Sequence, residues 1–92
     1  MKSTTTDRFW KCYAELPAAI KKQAKEAYRL FLRDSYYPSL HFKRIHSTRP
    51  IFSVRITRDY RAVGIIQDNE IIWFWIGSHS EYNKLLKKLR NA

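Results

Sequence analysis

Four residues of this chain have types and spacings suited to phosphate chemistry: Arg55, Arg61, His79 and Tyr82. Cutting RNA without a metal can use the substrate's own 2′-hydroxyl against the adjacent phosphate. The protein must then supply a base for that hydroxyl, cations for the charge developing on the phosphate, and an acid for the leaving oxygen. The two arginines are candidate cations. His79 lies in Ser78-His79-Ser80-Glu81, an S-x-x-E capping box, which puts a candidate base at the start of a helix close to basic strands. Tyr82 is three residues on and therefore on roughly the same helix face. The plainer alternatives are a helix-start residue for His79 and a core aromatic for Tyr82.

These side chains need elements to hold them. A turn or two of helix is expected from Asp7 through Leu16, and Pro17 then stands at the first position of a second helix, where its missing N–H is tolerated. Ile20, Ala24, Ala27, Tyr28 and Phe31 recur at spacings of three and four, with Lys21, Lys22, Lys25, Arg29 and Arg33 on other faces, so this helix is amphipathic. It ends near Asp34 and Ser35, because Pro38 disfavours helical geometry at Tyr37. Beyond it the period changes to two. In IFSVRI, Phe52, Val54 and Ile56 alternate with Ser53 and Arg55, predicting a strand with one buried and one wet face and Arg55 directed away from the core. Short links at 57–59 and 67–69 join it to YRAVGII and EIIWFWIG, an antiparallel meander whose third strand, apolar on both faces, sits mid-sheet. Residues 1–6 either fray or form a short edge strand, and HFKRI can add another. Tyr82, Leu85, Leu86 and Leu89 extend the segment from His79 as a C-terminal helix. Helix, helix, strands, helix, without strand-helix-strand alternation, predicts one α+β domain spanning residues 1–92, with an antiparallel sheet of three to four strands.

Eighteen Lys and Arg against 8 Asp and Glu give a net charge of +10, so a polyanion is the expected partner. The charge concentrates between residues 41 and 61: Lys43, Arg44, Arg49, Arg55, Arg58 and Arg61 face the single acid Asp59, with His41 and His46 in the same stretch. Arginines interleaved with histidines and aromatics on a sheet suit phosphate contact and base stacking, the pattern of single-stranded RNA binding. Lys84, Lys87, Lys88 and Arg90 form a second cluster on the final helix, either solvated charge or further RNA contacts. Arg61 shares its strand face with Val63 and Ile65. An unpaired arginine there is costly, so it either pairs with an acid such as Glu81 or awaits a phosphate. Other chemistries lack their parts. His41, His46 and Cys12 do not make a four-ligand zinc spacing, and no GxxxxGK[ST], GxSxG or HExxH motif occurs, so neither a metal nor a cofactor is expected. A lone cysteine, no apolar run of ~18–20 residues and no signal peptide predict a cytoplasmic protein without membrane contact.

FSVRITRDYRAVG, a short turn, an apolar strand and IGSHSEYNKLL together resemble the sheet and final helix of the RelE/ParE superfamily of toxin-antitoxin toxins, which includes RelE-, HigB- and YoeB-like plasmid stabilisation proteins. The resemblance covers most of the chain. It implies a RelE-like fold with an N-terminal helical hairpin, and a cognate antitoxin that wraps the protein. It also implies, as activity, endoribonuclease cleavage of mRNA on the ribosome that inhibits translation. Carried over by position, Arg55 and Arg61 correspond to residues that bind the scissile phosphate, with Lys43 and Arg44 as looser analogues. His79 corresponds to a general base or acid, and Tyr82 to a substrate-orienting or proton-partner residue. Two alternatives accompany this reading: a ParE-like inhibitor of DNA gyrase, and an inactive basic RNA-binding module on the same fold.

Overall fold

The computed structural model describes residues 1–90. A short strand β1 (Lys2–Thr5) leads into helices α1 (Asp7–Ala14) and α2 (Ala18–Arg33). A 3₁₀ turn (Pro38–Leu40) and a two-residue strand β2 (Lys43–Arg44) follow. The meander is β3 (Ile51–Thr57), β4 (Tyr60–Gln67) and β5 (Glu70–Ser78), and helix α3 (His79–Arg90) is the last described element. The α+β order is as the periodicity predicts. Pro17 stands one residue earlier than expected, as the cap of α2, where its carbonyl accepts from the N–H groups of Ile20 and Lys21.

The sheet has five strands in the order β1-β5-β4-β3-β2, not three or four, and it is mixed: β1 runs parallel to β5. Both ambiguous segments became edge strands. β1 is polar and largely exposed, so no hydrophobic alternation announces it. Its anchor is Ser3, whose hydroxyl accepts from Trp73 Nε1 at 3.0 Å and from the Tyr28 hydroxyl at 3.1 Å. The β4–β5 link is tight because Asp68 and Asn69 take positive φ of 53° and 60°, a left-handed pair that short polar side chains tolerate.

Both faces of the sheet are covered. Under the helical hairpin, Ala24, Ala27 and Phe31 of α2 pack on Val54, Ala62, Ile71, Trp73 and Ile76. Under α3, Tyr82 and Leu85 pack on Ile51, Val63 and Trp75. A bulge in β5 lets one strand serve both cores. Val63 pairs with Trp75 but Gly64 with Trp73, so Phe74 has no partner and the alternation resets. Trp73 thereby points under the hairpin and Trp75 under α3. The β3 face predicted to be wet is accordingly not wet: α3 lies over it, and Ser53 is only 2% exposed. No helix among the described residues is long and apolar enough to cross a membrane.

Candidate functional site

Register brings the two arginines together. Arg55 on β3 and Arg61 on β4 are direct cross-strand partners, so their side chains rise from the same face, the one α3 covers. Like charges so placed repel. Lys43, opposite Ser53 on the neighbouring strand β2, belongs to that face as well. Among the described residues the one salt bridge joins exposed Lys84 and Glu81 at 3.6 Å, so neither arginine is paired with an acid.

Arg61 is tied to the backbone instead. Its Nη1 donates to the carbonyls of Thr57 at 2.7 Å, Tyr60 at 3.0 Å and Arg58 at 3.1 Å. The acid expected as a structural partner, Glu81, faces Lys84, and the partners found are the carbonyls of the β3–β4 turn. Partial burial and then the neighbouring Arg55 charge lower the pKa of the guanidinium, with Tyr82 and Asp59 opposing; it remains charged at neutral pH. Gly77 on β5 is the cross-strand partner of Arg61 on the other side. A Cβ there would stand 2.7 Å from Trp75 Cζ2, so the indole fills the space a side chain would need.

The start of α3 closes the site. Ser78 caps it by accepting from the Glu81 N–H at 3.3 Å, half of the predicted capping box. The Glu81 carboxylate pairs with Lys84, and the His79 N–H donates to the Asp59 carbonyl at 2.7 Å. That bond pins the helix start against the turn holding Arg61. The His79 ring is exposed, 3.4 Å from the Asn83 amide nitrogen at Nδ1 and edge-on to Tyr82 with ring centres 5.7 Å apart. Tyr82 differs: it is 6% exposed, and its hydroxyl donates to Ser53 Oγ at 3.3 Å inside the α3 seam.

The remaining basic residues divide by position. Arg58 sits in the turn whose carbonyl Arg61 holds, and Lys43 shares the arginine face. Arg44 ends β2 and Arg49 lies in the β2–β3 loop, where the Arg44 Nε donates to the His46 carbonyl at 3.0 Å. His46 Nδ1 accepts from the N–H groups of Thr48 and Arg49, leaving Nε2 to donate to the Leu89 carbonyl at 2.9 Å. That link places Arg49 and the last-turn Lys87 and Lys88 beside the C-terminal end of α3. The length of a helix, about 18 Å, therefore separates them from the arginine pair. Lys84 lies between, bound to Glu81. Sequence reasoning missed Ser53 and His46. A serine in an alternating strand reads as solvent-facing, and a histidine in a basic loop reads as charge; nothing local reveals the helix that each one meets.

A family model described as the ParE-like toxin domain matches residues 18–84. No curated protein matches the chain. Among solved structures, YafQ from E. coli strain BL21(DE3) superposes with a TM-score of 0.71 at 10% identity, covering 88% of this chain and 96% of YafQ. The RelE toxin in the RelB-RelE antitoxin-toxin complex from Methanococcus jannaschii gives 0.68 at 17% identity, covering 89% and 96%. The YoeB/ParE toxin from Agrobacterium tumefaciens gives 0.67 at 18%, covering 86% and 99%. These likenesses concern the fold, and the family match, spanning strands and site alike, makes the chain a member of the ParE-like toxin family within the RelE/ParE superfamily.

Proposed function

We propose that this toxin is a metal-independent endoribonuclease that cleaves mRNA, on the ribosome, at a phosphate held between Arg55 and Arg61. The observation that carries the reading is the cross-strand pair itself: two half-buried guanidiniums on one sheet face, without an acid between them. Such a repulsive pair is relieved by a bridging anion. Arg61, with Nη1 committed to the turn, offers Nε and Nη2, and Arg55 offers its fork. The RNA 2′-hydroxyl attacks the adjacent phosphorus, giving a 2′,3′-cyclic phosphate and a free 5′-hydroxyl. His79, exposed at the helix start, moves one proton as base or acid, and solvent takes the other role, so that the 2′-hydroxyl loses a proton and the 5′-oxygen gains one. Tyr82, bound to Ser53, acts by holding the His79 ring edge-on, which favours the orienting role over proton transfer. Lys43 and Arg58 extend the cationic surface along the RNA strand, with Arg44, Arg49, Lys84, Lys87 and Lys88 as outlying contacts. The proposed partner that silences the toxin is an antitoxin whose neutralising segment is acidic, complementary to the charge of +10. The superposing RelE was solved in a complex with an antitoxin, RelB.

Expression from a tightly repressed promoter, followed by mapping of mRNA 5′ ends, tests the reading. New ends at defined codons, lost in His79→Ala and Arg61→Ala, are expected. A second reading, inhibition of DNA gyrase, is favoured by the ParE-like family match together with the burial of the Tyr82 hydroxyl. Growth arrest with intact mRNA and defective supercoiling would establish it instead.

A further inference from the structure

The loop between α2 and β2 carries two exposed tyrosines. Tyr36 is 77% exposed and Tyr37 45%. The backbone that carries them is ordered by hydrogen bonds. The Asp34 carboxylate accepts from the Tyr36 N–H at 3.0 Å, the Asp34 carbonyl accepts from Tyr37, and the Tyr37 carbonyl accepts from Leu40. Pro38 fixes the turn between them. Tyr36 also meets Phe42 edge-on at 5.9 Å, and Phe42 stacks on Phe52 at 5.0 Å. The exposed ring is thus the outer member of an aromatic row rooted in the sheet.

The flanking chain is cationic. Between Glu26 and Asp59 the chain carries Arg29, Arg33, Lys43, Arg44, Arg49, Arg55 and Arg58 against Asp34 alone, and the Asp34 side chain is occupied by the Tyr36 N–H. Lys43 directly follows Phe42 and points to the opposite face of the sheet, that of Arg55 and Arg61, one and two strands away and two residues off in register, roughly 8 and 12 Å at the usual strand spacing and rise. Exposed rings on an ordered turn at the edge of a basic track match one ligand chemistry: unpaired bases, which stack on aromatic faces whatever their identity while cations take the phosphates.

We propose that Tyr36 and Tyr37 form a stacking platform for single-stranded RNA, a few nucleotides from the phosphate at Arg55 and Arg61, with the backbone crossing the β2 edge past Lys43. The proposal rests on the RNA-directed reading above. It is tested by fluorescence anisotropy of the full chain titrated into a labelled single-stranded oligonucleotide with 2′-O-methyl riboses, which cannot be cleaved. Replacing both tyrosines by alanine is expected to weaken binding about tenfold or more with an unchanged dependence on salt. The double Tyr→Phe variant should stay within about twofold, because the faces are kept. Lys43→Ala should instead flatten the salt slope by about 0.7. Unchanged affinity in the alanine pair would overturn the platform, and so would an equal loss in the phenylalanine pair, which would assign the contact to the hydroxyls. Weakened binding of an acidic antitoxin peptide with RNA affinity intact would also overturn it, making the loop a protein-docking surface. Thermal melting of each variant confirms that the affinities refer to folded protein. The two readings fail separately: arrest with intact mRNA ends the ribonuclease reading but not the oligonucleotide result. Codon-specific cleavage with unchanged affinity in the alanine pair ends the platform alone.

Discussion

Arg61 donates Nη1 to three carbonyls of one turn, while Arg55, its cross-strand partner, has no such tie. Their removal should therefore differ in stability and agree in activity. Arg61→Ala strips a charged donor from partly buried carbonyls and should cost about 1–2 kcal/mol, a fall in Tm of roughly 5–15 °C for a domain this small. Arg55→Ala relieves a like-charge contact and should leave Tm unchanged or slightly raised. Both should abolish mRNA cleavage, so calorimetry beside 5′-end mapping separates the two arginines. If Arg55→Ala melted as low as Arg61→Ala, the phosphate would not be the reason for the pair. Tyr82 divides in the same way. Tyr82→Phe leaves the Ser53 hydroxyl buried without its partner and should cost about 1 kcal/mol, yet keep activity if the ring only orients His79. Loss of cleavage in folded Tyr82→Phe would return Tyr82 to the role of proton partner.

At the scale of elements, α3 is held at both ends by groups outside itself: the Asp59 carbonyl at His79 and the His46 ring at Leu89. His46 engages both ring nitrogens, so it ties the β2–β3 loop to the helix end as well as ordering the loop. His46→Ala should cost about 1–2 kcal/mol and speed amide exchange in the last turn of α3 and in residues 47–49, leaving the hairpin side protected. Uniform loss of protection would mean that the helix and the sheet open together. The same element shows what the chain's pattern could and could not convey. Leu85, Leu86 and Leu89 at helical spacing announced α3, and the SHSE run placed its start. Where the helix would lie was not announced. Ser53 alternates with apolar neighbours and so reads as wet, but its environment depends on a helix 26 or more residues away in sequence. Trp73 and Trp75 share a period-two face in sequence and enter different cores in the fold, because the bulge at Phe74 resets the alternation. β1 escaped for a related reason: its four residues are polar, and its place is set by Ser3 bonding to Trp73 and Tyr28. The two arginines were legible because charge on a strand is conspicuous. Their adjacency came from register, which hairpin lengths constrain but do not spell out.

For the molecule as a whole, a charge of +10 on 92 residues is carried with a single exposed salt bridge among the described residues. Self-repulsion of this kind opposes the compact state and is screened by salt. Adding sodium chloride from about 20 to 300 mM, which shortens the Debye length from roughly 20 to 6 Å, should therefore raise the Tm of the free toxin. Complexes with polyanions must respond oppositely. Each phosphate neutralised releases counterions, so RNA affinity should fall as a power of salt concentration whose exponent reports the number of contacts. If Lys43, Arg55, Arg58 and Arg61 make the main contacts, that exponent is about 3, near 0.7 per phosphate on a single strand. The distant cluster at Lys87 and Lys88 enters only if the bound strand runs the length of α3. A double Lys87→Ala, Lys88→Ala variant measured with short and longer oligonucleotides decides between these. An effect confined to the longer strand is expected, since the His46–Leu89 link sets that cluster a helix length from the arginine pair. Equal weakening with a strand of three or four nucleotides would mean that the cationic track is centred on α3 and not on the sheet.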